Sequence, residues 1–228
     1  MIVRATLAGP GPADAGPCVH SHMEARLTRA RRFACAVILG LAASVSATTA
    51  HAQSVVTDRY DDTFRKYSKR FFGPAFDWRL FKAQGMAESN LDPQAKSWVG
   101  ARGIMQLMSS TYKEVQSKNP DLGEINDPEW NIAAGISYNR QLWRQWQNES
   151  DEAHVSDFML GSYNAGRSVL LRAQRVARDR ALDSRFWPSI QTVAPSVPRW
   201  RYSETLTYVD RIKANLARMD SKGKVTAK

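Results

Sequence analysis

The sequence predicts an all-α protein built as a single domain. Beyond residue 57, apolar residues recur at spacings of three and four, the period of helices that bury one face. Glycine and proline interrupt these stretches where helices would end. No stretch alternates apolar and polar residues over five positions, as a half-buried strand would. We therefore expect helices joined by loops, without a sheet.

The N-terminal residues have the pattern of an export sequence. Residues 1–22 are rich in proline and glycine and are interpreted as a non-structural extension upstream of a start at Met23. From Met23, four arginines precede a short apolar run, and the small-x-small sequence Ala50-His51-Ala52 follows. This pattern predicts a signal peptide over residues 23–52, an exported protein that is periplasmic or secreted, and no stable membrane anchor after cleavage. A permanent anchor is the alternative, although the run is short for a membrane span.

Cleavage after Ala52 would change which chemistry the chain can perform. Both cysteines and three of the four histidines would leave, so that His154 alone remains. One histidine does not make a zinc site, and we predict neither a metal nor a cofactor. The mature chain would hold 27 basic and 20 acidic residues, a formal charge of +7. This charge favours an acidic polymer as partner without choosing among cell wall, anionic lipid and nucleic acid.

The predicted domain spans residues 53–217, and its first five residues, 53–57, are expected to be a short leader. The first half of the domain then contains two helices. Aromatic residues at helical spacing end at Gly73-Pro74, and a second helix runs from Trp78 to Ser89. Residues 93–103 are predicted to form a loop. Gly103 is predicted to open a helix that ends near Gln116.

The second half is predicted to be equally helical. Asp127-Pro128 is typical of a helix start, with an N-cap followed by proline at the first position. Further helices are expected at residues 151–163, 166–180 and 200–218, with prolines separating the last two. Residues 218–228 are predicted to be a flexible basic tail.

Glu88 is the first candidate for chemistry because it breaks a rule of helix design. It lies at the C-terminal end of an otherwise apolar helix, where the helix dipole disfavours a negative charge. Partial burial would also raise its pKa, toward the range that a general acid needs. Taken alone, an ordinary surface glutamate is the more common occupant of such a position.

Four segments around Glu88 resemble the SLT-type lytic transglycosylases, which have a lysozyme-like fold. Their order and spacing match that family over roughly residues 60–215. The segments are MAESNLDPQA (Met86–Ala95), GARGIMQLM (Gly100–Met108), SYNAG (Ser162–Gly166) and VPRWRYSETLTYVDRI (Val197–Ile212). The resemblance implies a lysozyme-like catalytic domain that acts on the glycan strands of peptidoglycan, without metal or cofactor.

The resemblance also implies a mechanism in which Glu88 is the only catalytic carboxyl group. It would protonate the oxygen between N-acetylmuramic acid and N-acetylglucosamine and then accept the proton of the muramoyl C6 hydroxyl. The product would be a 1,6-anhydro sugar, formed without water. Most glycosidases use two carboxyl groups. Asp92, the other one nearby, precedes a proline and is expected to accept a hydrogen bond from its own turn.

Supporting roles carry over to residues of the first two segments and to Asn164, each with a structural alternative. Ser89 could hydrogen-bond near Glu88 or to substrate, or could be an ordinary helix-end hydroxyl. Gln106 and Asn164 have amides suited to the acetamido and hydroxyl groups of sugars, or could be buried structural amides. Met105 and Met108, three apart on the predicted helix, could divide between cleft and core.

Residues of the last two segments, and one loop residue, could also line the site. Tyr208 resembles the family tyrosine that contacts the catalytic glutamate. Glu204 lies four residues earlier, on the same helix face, and could contact substrate or form a structural ion pair. Tyr163 could line the cleft or pack in the core. Trp98, in the loop after Glu88, is a candidate for stacking on a sugar.

Small departures from the family pattern leave the preference among sugar subsites open. Ser109 stands where proline is frequent, Ser162 where alanine is, and Leu206 where arginine is. Gly85 lies in a helix interior, which destabilises a helix by roughly 1 kcal/mol.

The sequence leaves three alternatives to a lytic transglycosylase. A hydrolytic lysozyme would share Glu88 but use water, and a binding protein would have lost activity. Nucleic-acid binding is suggested only by an arginine-rich stretch (residues 167–180) without a recognisable motif. The predicted partner is the glycan strand, and delivery by an envelope machinery such as a secretion or flagellar apparatus stays a hypothesis.

Overall fold

A computed structural model describes residues 58–225 as a set of helices and connecting loops. Within this range there are isolated bridges but no strand, so the all-α prediction is confirmed. The predicted extension, signal peptide and leader lie outside the described residues. The helices are α1 (Asp61–Phe72), α2 (Arg79–Ser89), α3 (Ser109–Lys118), α4 (Pro128–Trp146), α5 (Val155–Ala165), α6 (Arg167–Asp179), α7 (Trp187–Val193) and α8 (Tyr202–Ala217).

Helix α4 is the centre of the fold because its sequence is apolar or small on almost every side. Residues 131–137 are all buried, as expected of a helix surrounded by others. α1 and α5 pack on α4, whereas α2 packs chiefly on α8. At the far end of α4 the buried Trp146 donates from Nε1 to Ser162 Oγ at 2.8 Å. Among residues 58–225, no helix has the length and apolar character needed to cross a bilayer.

The start of α4 follows from its own sequence. Asp127 caps the helix by accepting hydrogen bonds from the backbone N–H groups of Glu129, at 2.8 Å, and Trp130, at 3.3 Å. Pro128 occupies the first turn, where no N–H is required. The predicted helix start at Asp127-Pro128 is therefore confirmed.

The predicted helix from Gly103 to Gln116 is wrong at its start. Residues 103–106 form turns, Leu107 pairs with Arg102, and α3 begins only at Ser109, so Met105 and Met108 do not share a helix. Asn131 of α4 explains the difference: its side chain accepts from Met105 N at 2.8 Å and donates to the carbonyl of Arg102 at 3.0 Å. These bonds satisfy backbone groups that a helix would otherwise have used.

Two further segments differ from the sequence-based expectation. α7 was not predicted, since Pro188 was interpreted as a break, although proline suits the first turn of a helix. Residues 219–225, predicted to belong to a flexible tail, have defined contacts, since Met219 pairs with Val225 and Gly223 packs on the ring of Trp78.

Lys82 holds this C-terminal segment against the start of α1. Its side chain is fully buried on α2, and Nζ lies 2.6 Å from the carboxylate of Asp61 and 3.4 Å from that of Asp58. The same group donates to the carbonyl of Gly223 at 2.8 Å. A buried ammonium group needs such partners, and the chain supplies them from both ends of the described fold.

Candidate active site

Glu88 occupies the last turn of α2, and the chain reverses immediately after it. Asn90 adopts the left-handed conformation with φ 55°, and its N–H donates to the carbonyl of Met86 at 3.0 Å. Leu91 then folds back into the core over Gly85. A Cβ atom on Gly85 would lie 3.0 Å from Leu91 and 3.1 Å from Phe64, so this glycine makes room for the turn.

The carboxyl group of Glu88 is in an environment that favours its protonated form. Burial raises its pKa to about 7 from 4.5, against opposing contributions from a hydrogen bond and from the positive charge of Arg211. The hydrogen bond comes from the hydroxyl of Tyr208, which donates to Glu88 Oε1 at 2.6 Å. Near neutral pH the group can therefore both donate and accept a proton.

Tyr208 is itself held by two buried amides. Gln84 donates from Nε2 to the hydroxyl of Tyr208 at 3.0 Å, and Asn139 of α4 donates from Nδ2 to Gln84 Oε1 at 2.7 Å. The chain Asn139–Gln84–Tyr208–Glu88 thus links three helices. Neither amide is predicted to belong to the site, although Gln84 lies one helical turn before Glu88 as a polar residue in an apolar helix.

Glu88 opens into a cleft of about 640 Å³ between α2 and α8. Tyr208, Asn164, Glu204 and Trp98 line this cleft as well, which brings these predicted residues together. Arg201 and Arg211 also line it and were not predicted. The positive charge of Arg211 acts on Glu88 from α8, whose packing on α2 the sequence alone does not predict.

Two of the predicted polar residues face the cleft with different constraints. Asn164 is exposed, and its Oδ1 accepts from the hydroxyl of Thr205 at 2.8 Å, so its amide is fixed while the NH₂ group has no partner among residues 58–225. Glu204 is exposed and forms an ion pair with Arg201 at 3.2 Å. Neither contact reaches Glu88.

The other predicted residues shape the loop beside the cleft and do not line it. Ser89 donates to the carbonyl of Ile104 at 2.9 Å, and Gln106 donates to the carbonyls of Gly103 at 2.9 Å and Ala95 at 3.2 Å. Both side chains therefore stabilise residues 95–107.

Met105 and Tyr163 connect the same loop to helices α4 and α5. Met105 is fully buried, and a Cβ on Gly135 of α4 would come within 2.7 Å of it. Tyr163 donates to the carbonyl of Met105 at 2.8 Å, and its pKa is raised well above 10 by burial and by the neighbouring Glu88. Met108 is partly exposed at the start of α3.

The remaining candidates have structural contacts. Asp92 Oδ1 accepts from Gln94 N at 2.8 Å, which is the expected turn. His154 lies 3.3 Å from Asp157 and packs edge-on against Phe186. Among the described residues, no group of three or more histidine, cysteine or acidic side chains could hold a metal ion.

The family model of the transglycosylase SLT domain matches residues 64–186, which is more than half of the chain. The protein belongs to the transglycosylase SLT domain family. The matched span carries Glu88 and Asn164 but ends before α7, so α8, with Tyr208 and Glu204, lies beyond it.

Two known proteins agree with this assignment over about two thirds of this chain. Membrane-bound lytic murein transglycosylase F of Vibrio cholerae is 30% identical over 150 residues, which cover 66% of this chain and 26% of that protein. The protein of the same name from Shewanella pealeana is 29% identical over 166 residues, covering 68% and 33%. This chain therefore spans no more than a third of either relative.

A solved structure supports the lysozyme-like fold of the SLT domain. The crystal structure of the 70 kDa soluble lytic transglycosylase from Escherichia coli superposes with a TM-score of 0.53 at 26% identity. The match covers 74% of this chain and 26% of that one. The lysozyme-like prediction is thereby confirmed.

Proposed function

We propose that this protein is a peptidoglycan lytic transglycosylase that cleaves the bond between N-acetylmuramic acid and N-acetylglucosamine without water. The observation that carries the proposal is the state of Glu88, whose carboxyl group has its pKa raised to about 7 and opens into the cleft. The names of the SLT relatives support murein as the substrate. The predicted signal at residues 23–52 supports action outside the cytoplasm.

In the first step, Glu88 acts as a general acid. The Tyr208 hydroxyl donates to Oε1, which leaves Oε2 to carry the proton. Transfer of that proton to the glycosidic oxygen lets the N-acetylglucosamine leaving group depart as an alcohol while positive charge develops at C1 of the muramoyl residue. The hydrogen bond from Tyr208 then stabilises the carboxylate that has formed.

In the second step, the same carboxylate acts as a base. It accepts the proton of the muramoyl C6 hydroxyl as O6 bonds to C1, which gives a 1,6-anhydro ring and restores protonated Glu88. The other lining carboxylate, Glu204, is exposed and paired with Arg201, so it lacks the burial that prepares Glu88 for proton transfer. The free NH₂ group of Asn164 is suited to a sugar oxygen.

The test is the mass of the fragments released when the chain from residue 53 is incubated with purified peptidoglycan. We expect fragments one water lighter than hydrolytic products, and none with Glu88→Gln. Fragments with ordinary reducing ends would instead indicate a hydrolytic lysozyme on the same fold. No fragments from the unmutated protein, with binding retained, would indicate a catalytically silent binding protein.

A further inference from the structure

Trp98 is the most exposed large apolar side chain among the described residues, at 93%. Its neighbour Val99 is 50% exposed. Leaving an indole in water forgoes the stabilisation that burial of a large apolar side chain gives. Trp98 also lies at the rim of the cleft that holds Glu88. An exposed aromatic ring at the rim of a cleft is available to stack on a ligand.

The turn that carries Trp98 is well defined by its own hydrogen bonds. Gly100 N donates to the carbonyl of Ser97 at 3.0 Å, and Ser97 N donates to that of Ala101 at 3.0 Å. The hydroxyl of Ser97 accepts from Ala101 N at 3.0 Å. Gly100 has φ 92°, which favours glycine at this position. Trp98 and Val99 therefore project from the tip of a closed turn.

The base of this turn is tied to the helix that ends in Glu88. Ala95, just before the turn, accepts from both Gly103 N at 2.9 Å and the side chain of Gln106 at 3.2 Å. Ser89, the residue after Glu88, donates to the carbonyl of Ile104 in the same loop at 2.9 Å. Polar side chains thus fix the turn relative to the carboxyl group. Little conformational entropy of the turn is therefore lost when a ligand binds there.

We propose that Trp98 is a specificity-determining residue that stacks on one sugar ring of the glycan beside the bond cleaved at Glu88. This inference rests on the proposed function. N-Acetylglucosamine and N-acetylmuramic acid carry their ring substituents equatorially, so each β-linked ring presents a flat face of C–H groups. An indole matches such a face in size and polarity, and its N–H can still donate to an acetamido or hydroxyl oxygen.

The experiment compares Trp98→Ala and Trp98→Phe with Val99→Ala, a matched control on the same turn outside the cleft lining. Initial rates of fragment release from purified peptidoglycan give KM and kcat for each. We expect Trp98→Ala to raise KM by about 10-fold, which is the order of the loss when an aromatic side chain that a bound partner buries is truncated. The value of kcat should stay within about 2-fold. Trp98→Phe should recover most of the loss, and Val99→Ala should match the unmutated protein.

A second measurement separates binding from turnover. In the Glu88→Gln background, affinity for a β-1,4-linked N-acetylglucosamine oligosaccharide is measured by calorimetry with and without Trp98→Ala. About a 10-fold weaker affinity is expected. Unchanged KM and affinity in Trp98→Ala would overturn the stacking proposal while fragment release by the unmutated protein keeps the proposed function.

The opposite result is distinguishable as well. If the unmutated protein releases no fragments but the oligosaccharide binds through Trp98, the proposed activity fails and the stacking stands. If Trp98→Ala instead abolishes binding to phosphatidylglycerol vesicles and leaves oligosaccharide affinity unchanged, the turn contacts a membrane and the proposal is overturned.

Discussion

The residues around the cleft form two groups that differ in how their polar atoms are satisfied. The first group, which we term the buried wall, is the hydrogen-bonded chain of Asn139, Gln84 and Tyr208 that ends on Glu88. The second group, which we term the exposed wall, comprises Trp98, which projects into solvent, and Glu204, whose side chain forms an ion pair with the exposed Arg201. The first arrangement withdraws a carboxyl group from water, whereas the second leaves its groups available to a ligand.

This difference suggests that the two groups of residues affect different properties of the enzyme, turnover in one case and substrate affinity in the other. Hydrogen bonds and charges act more strongly where water is excluded, so changes on the buried wall should alter turnover and its pH dependence. Groups on the exposed wall interact through water and exchange partners readily, so changes there should alter substrate affinity. Substitutions in each group test this distinction.

The largest effect is expected from Tyr208→Phe on the buried wall. Loss of its hydrogen bond to Glu88 should lower kcat by roughly 100-fold, the order of a general acid–base contribution. That bond lowers the pKa of Glu88 from what burial alone would give, so its loss should raise the pKa further. Since the proposed first step requires the acid form of Glu88, the decline of kcat/KM above pH 7 should move to higher pH.

Rates of fragment release between pH 5 and 9 measure both quantities. Tyr112→Phe is the matched control, because the Tyr112 hydroxyl is also nearly buried and donates to a backbone carbonyl, that of Gly123, at 2.9 Å. An equal loss of kcat in both variants, with an unmoved pH profile, would show that Tyr208 acts only through stability.

A smaller effect is expected on stability from Glu88→Gln. The folded protein raises the pKa of Glu88 from 4.5 to about 7, so it disfavours the carboxylate relative to the unfolded chain. Below pH 4.5 the variant and the unmutated protein should be equally stable. Above pH 7 the variant should be more stable by about 2 kcal/mol, a figure reduced for the partial exposure of the group.

Urea unfolding at pH 4 and pH 8 measures this difference. Glu129→Gln should show the opposite trend, since hydrogen bonds from Lys66 and Tyr67 lower the pKa of Glu129. Its stabilisation is fully present at pH 8 and is lost as the pH falls through the lowered pKa, so that variant should be destabilised more at pH 8 than at pH 4. A Glu88→Gln protein that gains nothing at pH 8 would contradict the burial of this carboxyl group.

The smallest effect is expected from Glu204→Gln on the exposed wall. Its ion pair with Arg201 is solvent-exposed and should contribute less than about 1 kcal/mol to stability. We expect unchanged kcat and pH profile and at most a few-fold change in KM. Asp62→Asn, which removes the exposed Arg65–Asp62 pair on α1, provides the control for stability. A shifted pH profile in Glu204→Gln would contradict the prediction that only the buried wall affects the pH dependence of turnover.

The sequence predicted what local signals determine and missed what distant side chains determine. Asp127-Pro128 located the start of α4 because the cap and the proline act within one turn. The start of α3 was misplaced because Asn131, from the next helix, supplies the bonds that hold Met105 and Arg102 in turns. The contacts of the tail could not be predicted because its partner is the buried Lys82, more than 130 residues earlier.

The candidate site divides in the same way. Glu88 could be singled out from the charge at its helix end together with four family-like segments, and Tyr208 came from one of those segments. Gln84 and Asn139 could not be assigned to the site, because their contact depends on how α2 crosses α4. Arg211 reaches Glu88 only through the packing of α8 on α2.

The contacts of Lys82 also have a topological consequence. Asp58 and Gly223, from opposite ends of the described fold, meet the same ammonium group, so the two ends lie side by side. Domains with adjacent ends can be inserted into a longer polypeptide, or circularly permuted, without rebuilding their core. Lys82 precedes Glu88 by six residues on α2, about 9 Å along its axis. Both attachment points of such a module would therefore leave from the base of the helix that ends in Glu88, away from the cleft mouth.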